Sequence, residues 1–185
     1  MNPISDNELM LSVREGAVDK LGLLFERHHV PLYNFFLKLV GNREISEDLV
    51  QEVFLRILKH RKTYRGESKF TSWMYQIARN ARVDYYRKRK LEVSTDEEEM
   101  EPVSQDPMPT DDLETGQETA LLRTALNRLP FKKREVLVLS RFHDMKYEEI
   151  AKVLNCPVST VKVLVHRAIK DLRSIFYELS GEKAI

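Results

Sequence analysis

Seven residues late in the chain, Ser159, Thr160, Lys162, Val163, His166, Arg167 and Lys170, combine hydroxyls, cations and a methyl-bearing side chain at helical spacing. Turned at about 100° per residue, they share one helix face, and Val161, Leu164, Val165, Ala168 and Leu172 share the other. Such a polar face suits the major groove of duplex DNA. Lys162 and Arg167 reach phosphates or guanine edges, Thr160 holds a phosphate near the helix start, and Val163 meets a thymine methyl. His166 has no second histidine or cysteine at metal-binding spacing.

A second cluster suits single-stranded nucleic acid. The segment Tyr64, Arg65, Gly66, Glu67, Ser68, Lys69, Phe70 sets aromatic rings beside cations, and Arg79, Asn80 and Arg82 follow at helical spacing. Stacking on an aromatic ring contributes ~1–3 kcal/mol per base, and the backbone requires countercharge. Residues 79 to 90 hold six Lys/Arg against the single acid Asp84. Phe70 and Trp73 fall on an apolar stripe and are expected in the core.

Catalytic chemistry finds no support. Histidines 28, 29, 60, 143 and 166 make no ligand set, and no carboxylates cluster at metal-site spacing outside residues 92 to 118. No catalytic residue, metal or cofactor is expected, and the chain is read as a non-enzyme.

Helices position both clusters. Apolar residues recur at helical spacing and strand-like alternation is absent, so the fold is expected to be all-α. A short helix is expected over about 5 to 15 and another over 18 to 40. Asn42 is expected to cap a third helix, on which Ile45, Leu49, Val50, Val53, Phe54, Ile57 and Leu58 form a stripe. On that helix Glu44, Glu47, Asp48 and Glu52 favour the positive N-terminal end. Ser68 is expected to open a helix over about 70 to 90. After the acidic stretch come a helix stopped by Pro130, one through Val136 to Leu139, a short one over 147 to 154, and a last one over 158 to 177. The final pair reads as a helix-turn-helix. Ala151 permits close approach, Ile150, Leu154 and Val161 supply apolar contact, Asn155 tolerates a left-handed turn, and Pro157 suits the first turn of the last helix.

Charge divides the chain into three. The formal net charge is only +1. Residues 1 to 91 carry 17 Lys/Arg against 11 Asp/Glu, residues 92 to 118 carry 11 acids and no base, and residues 119 to 185 carry 13 bases against 7 acids. Two basic domains, 1–91 and 119–178, are therefore expected around a flexible acidic linker at 92–118, with a tail at 179–185. One cysteine excludes an internal disulfide, and the absence of a signal sequence or an apolar span fits a cytoplasmic protein.

Three blocks, DLVQEVFLRILKH (48 to 60), YRGESKFTSWMYQIARNARVDYYRKRK (64 to 90) and LPFKKREVLVLSRFHDMKYEEIAKVLNCPVSTVKVLVHRAIKDL (129 to 172), resemble in order and spacing the extracytoplasmic-function (ECF) group of bacterial RNA polymerase sigma factors. The resemblance implies promoter-specific transcription initiation with core RNA polymerase. It implies that Asp48, Gln51, Glu52 and Phe54 dock on the polymerase clamp. The loop from Tyr64 to Lys69, with the helix through Asn80, would capture melted bases of the minus-ten element, and the last helix would read the duplex minus-thirty-five element. It further implies an acidic linker in the RNA exit path and an anti-sigma factor that could hold the protein at the membrane and away from the nucleoid. Family members commonly place a small polar residue and then Arg after the Thr-Val-Lys of this helix. Here Val163 and Leu164 stand there, which shifts base discrimination to Lys162, Val163, His166 and Arg167. The alternative is a helix-turn-helix regulator acting on duplex DNA without polymerase, which leaves the 48–90 blocks without a role.

Overall fold

The computed structural model describes residues 4–92 and 116–181. Eight helices carry them: α1 (Asp6–Arg14), α2 (Leu21–Val40), α3 (Arg43–Lys59), α4 (Phe70–Glu92), α5 (Gln117–Arg128), α6 (Phe131–Leu137), α7 (Tyr147–Leu154) and α8 (Val158–Ser180). Among the described residues there is no strand. Contacts divide them into two compact units, one on α1, most of α2, α3 and α4, the other on α5 to α8 with residues 37–42. Most of the expected linker lies outside the described residues, and so does the end of the tail. At the linker's margins Glu92 closes α4 and Glu118 sits in α5.

In the first unit, Ser5 caps α1: its hydroxyl accepts from the Glu8 N–H at 3.3 Å, and the Glu8 carboxylate accepts from the Ser5 N–H at 2.8 Å. Leu9, Met10 and Val13 on α1, Leu24, Leu32, Phe35 and Phe36 on α2, and Phe70, Met74, Ala78 and Ala81 on α4 are buried. Each large apolar side chain contributes about 1.5–3 kcal/mol by leaving water. Helix α3 buries Leu49, Val50, Val53, Phe54 and Ile57, as its stripe predicts. Arg56 then ties α3 to α4, with Nη1 donating to Asp84 Oδ2 at 2.8 Å and Nε donating to Glu52 Oε1 at 2.6 Å.

The start of α4 differs from the sequence expectation, because Ser68 does not cap it. The helix begins at Phe70, and the Phe70 N–H donates to Asn7 Oδ1 on α1 at 2.8 Å. A residue 63 positions away supplies the acceptor that an N-cap side chain ordinarily provides.

In the second unit, α8 packs on α5, α6 and α7. Arg134 on α6 donates to the carbonyls of Asn127 and Leu129 at 2.8 and 3.1 Å, so a buried guanidinium closes the C-terminal end of α5. Beyond Leu137 the chain widens into a π turn over Val138–Phe142. Between α7 and α8, Asn155 adopts the left-handed conformation expected of it, φ 51° and ψ 52°. Pro157 is the capping residue of α8, one position before the first turn in which it was expected.

Candidate nucleic-acid interface

On α8 the helical period sorts the side chains. Val161, Val165 and Ala168 are buried, while Ser159, Thr160, Lys162, Val163, His166, Arg167 and Lys170 are all exposed. Ile150, Ala151 and Val153 of α7 are buried in the same unit, so the pair forms a helix-turn-helix whose second helix turns a cationic face outward. Val163, 47% exposed, places an apolar spot between Lys162 and His166. Leu164 is half-buried, in keeping with its apolar side.

The loop ahead of α4 alternates. Tyr64 and Phe70 are buried, Gly66 and Ser68 are half-buried, and Arg65, Glu67 and Lys69 are exposed. Tyr64 was expected to face nucleic acid, and Phe70 was placed both in that cluster and on the apolar stripe; at 2% and 0% exposure both rings are buried. The Tyr64 hydroxyl is turned inward, donating to the Ser68 carbonyl at 3.1 Å. Burial, with a smaller contribution from the Asp6 charge, holds that phenol above its usual pKa. Trp73, expected in the core, is only half-buried, 5.1 Å from the Tyr64 ring and 6.4 Å from the Phe70 ring. It is the ring of this cluster that keeps partial exposure, one helical turn beyond Lys69.

Further along α4, Asn80 is exposed and Arg79 half-buried. Arg82 is only 4% exposed, and its guanidinium lies 4.8 Å from the centre of the Tyr86 ring. The charge run beyond it is exposed at Arg87, Lys88 and Arg89, with Arg87 paired to Asp84 at 2.9 Å.

Of the residues given a docking role on α3, Asp48 and Gln51 are exposed and Glu52 is partly so, engaged by Arg56. Phe54, at 7% exposure, packs against Phe25, ring to ring at 4.9 Å. The apolar residue on the outer face is Leu55, 63% exposed and flanked at helical spacing by Asp48, Gln51 and Glu52. The signal was present in the sequence, since Leu55 sits roughly opposite the centre of the buried stripe at about 100° per residue.

Two family models match the chain, Sigma-70 region 2 over residues 24–92 and Sigma-70 region 4 over residues 119–172. Among curated relatives, the ECF RNA polymerase sigma factor EcfG of Rhodopseudomonas palustris is 34% identical, over 77% of this chain and 77% of its own length. SigX of Bacillus subtilis is 31% identical over 82% of this chain and 80% of itself. The chain belongs to the ECF RNA polymerase sigma factors. It is a promoter-specificity factor whose partners are core RNA polymerase and promoter DNA. The helix-turn-helix regulator acting without polymerase is thereby set aside, since residues 24–92 match region 2. Among solved structures, the sigma factor RpoE in complex with the anti-sigma factor NepR from Bartonella quintana superposes with a TM-score of 0.69 at 26% identity, covering 83% of this chain and 94% of that one. CnrH in complex with the cytosolic domain of CnrY gives 0.71 at 23% identity, over 96% and 99% of the two chains, a likeness of fold. Among the described residues of this sigma factor, no helix is long and apolar enough to cross a membrane, and no three His, Cys, Asp or Glu side chains gather as a metal site.

Proposed function

We propose that this sigma factor reads its promoter with two separate surfaces, and that α3 carries the polymerase contact. The observation that carries the reading is the outward set Arg65, Glu67 and Lys69 beside half-buried Trp73, facing solvent on a loop whose alternate residues are anchored. Cations next to one accessible ring are what a melted strand requires. Stacking at ~1–3 kcal/mol per base offsets the few kcal/mol needed to unstack each base from the duplex. Asn80 and Arg79 extend that path along α4. On α8, Lys162, Val163, His166 and Arg167 discriminate bases of the upstream duplex element, while Ser159, Thr160 and Lys170 hold its phosphates. On α3, Leu55 ringed by Asp48, Gln51 and Glu52 replaces Phe54 as the centre of the clamp contact, an apolar spot with an acidic rim.

An anti-sigma factor regulates access to these surfaces, a reading supported by the RpoE–NepR neighbour. The protein acts in the cytoplasm at the nucleoid when released and is held at the membrane when its anti-sigma factor is anchored there. It contributes binding energy and no covalent chemistry.

Photocrosslinking side chains placed at position 65 and, separately, at position 162 test the two-surface reading in holoenzyme on a cognate promoter. Position 65 is expected to label the downstream strand only after melting, and position 162 the upstream duplex before and after. Labelling of the closed downstream duplex from position 65, or no labelling from it at all, would overturn the single-strand assignment.

A further inference from the structure

We infer that α1, which lies ahead of the first residue matched by the region 2 model, is the positioning element of the promoter-strand loop, with Asn7 its principal positioning residue. The inference rests on the assignment of the loop to melted DNA and adds what sets its shape.

Three α1 side chains each hold a different point of the loop. At its start, Arg14 Nη1 donates to the Tyr64 carbonyl at 3.2 Å. In the middle, Leu11 lies against Gly66: a Cβ built there would stand 3.4 Å from Leu11 Cδ2. At its end, the Asn7 carboxamide accepts from the Phe70 N–H at 2.8 Å, and its Nδ2 faces the Ser68 carbonyl at 3.4 Å. These anchors fall on residues 64, 66, 68 and 70, the alternate positions whose neighbours 65, 67 and 69 are exposed. Gly66, at φ 75°, takes a conformation that side chains resist and that lets the chain reverse against Leu11. The loop has no strand or helix of its own between Tyr64 and Phe70, so its alternation is held by the contacts from α1 together with the Tyr64 hydroxyl on the Ser68 carbonyl.

The anchoring helix is itself fixed. Asp6 Oδ1 accepts from Arg27 Nη1 at 2.7 Å, and Asp6 Oδ2 pairs with His28 Nε2 at 2.7 Å, tying α1 to α2. The His28 ring lies 5.3 Å from the Phe70 ring. Leu9, Met10 and Val13 of α1 are fully buried. A rigid helix bonded to both ends of a short loop is the arrangement that holds recognition side chains without spending their ordering entropy on binding.

Asn7 does not touch the strand, so its effect must travel through the loop. Holoenzyme carrying Asn7→Ala is expected to bind a single-stranded oligonucleotide of the downstream element about tenfold more weakly, as loss of one hydrogen bond to an otherwise unsatisfied N–H implies. Affinity for core polymerase and for the upstream duplex element is expected to stay unchanged. Asn7→Asp retains the acceptor for the Phe70 N–H at a helix N-terminus and is expected to recover most of the loss. Unchanged affinity of Asn7→Ala for core polymerase and for the upstream duplex, together with recovery of single-strand binding by Asn7→Asp, separates positioning from general stability. Equal weakening of polymerase binding by Asn7→Ala, or single-strand affinity unaltered by it, would overturn the inference. Arg65→Ala with Lys69→Ala is the companion variant. If it leaves single-strand binding intact, the loop assignment has failed; if it weakens binding while Asn7→Ala does not, only the role of α1 has.

Discussion

The two recognition surfaces of this sigma factor are built by opposite means. On α8, the side chains assigned to duplex DNA owe their outward direction to the helix that carries them, and its buried side, Val161, Val165 and Ala168, needs only to rest on its own unit. In the loop from Tyr64 to Phe70, the outward residues are placed by hydrogen bonds and contacts from α1, 50 or more positions away in sequence. A surface made by helical geometry is tolerant of change elsewhere and sensitive to its own residues. A surface made by remote anchors is sensitive at positions that never meet DNA. The sole tryptophan, Trp73, sits beside the loop and reports the unfolding of the first unit by its fluorescence.

That contrast can be broken in several places. The largest effect is expected at Phe70→Ala, which removes a fully buried ring: about 3–5 kcal/mol of destabilisation in denaturant titration followed by Trp73 fluorescence. A small effect there would mean that the ring is not core. Arg167→Ala, at an exposed residue of the second unit, should leave that first-unit transition unchanged. It should cost ~1–3 kcal/mol of discrimination at the upstream element, read by competition between matched and single-base-altered duplexes. Gly66→Ala combines a left-handed φ with the Leu11 contact and is expected to cost about 1–2 kcal/mol of first-unit stability, with weaker single-strand binding. An alanine there with no effect on either would show that the loop is not held as described.

The smallest effect concerns pH. Burial acts to raise the Asp6 carboxyl, but hydrogen bonds from Arg27 and His28 outweigh it, and the net pKa lies below the ordinary aspartate value of 3.8. A group depressed on folding stabilises the fold above its unfolded pKa and loses that contribution as pH falls through its folded one. First-unit stability should therefore drop below about pH 4 in a manner that Asp6→Asn reduces, seen in acid titrations by Trp73 fluorescence. Identical acid profiles for both proteins would contradict the clamp between α1 and α2.

How much of this was legible in the sequence follows the same division. The exposed face of α8, the buried stripe of α3 and the left-handed Asn155 are consequences of local period and turn chemistry, and each is where its residues place it. The inward turn of Tyr64 was not legible because a loop has no period to say which rings turn inward, whereas Phe70 lies where the apolar stripe of α4 puts it. The burial of Arg82 was not legible, because a cation in a charge run reads as solvated, whereas Tyr86, one turn on, lies against its guanidinium. Phe54 is buried where the stripe on α3 puts it. Asn7 and Arg14 gave no sequence signal, since a side chain capping a distant helix leaves no trace at the helix it caps.

The central claim, that single strand and duplex are read by separable surfaces, is tested most directly by titrating holoenzyme with the two halves of a cognate promoter as isolated pieces. The pieces are the upstream element as duplex and the downstream element as single strand. Arg65→Ala with Lys69→Ala is predicted to weaken only the single strand, by about tenfold, and Arg167→Ala only the duplex, by a similar factor. Loss of both affinities to the same extent in either variant would contradict the account.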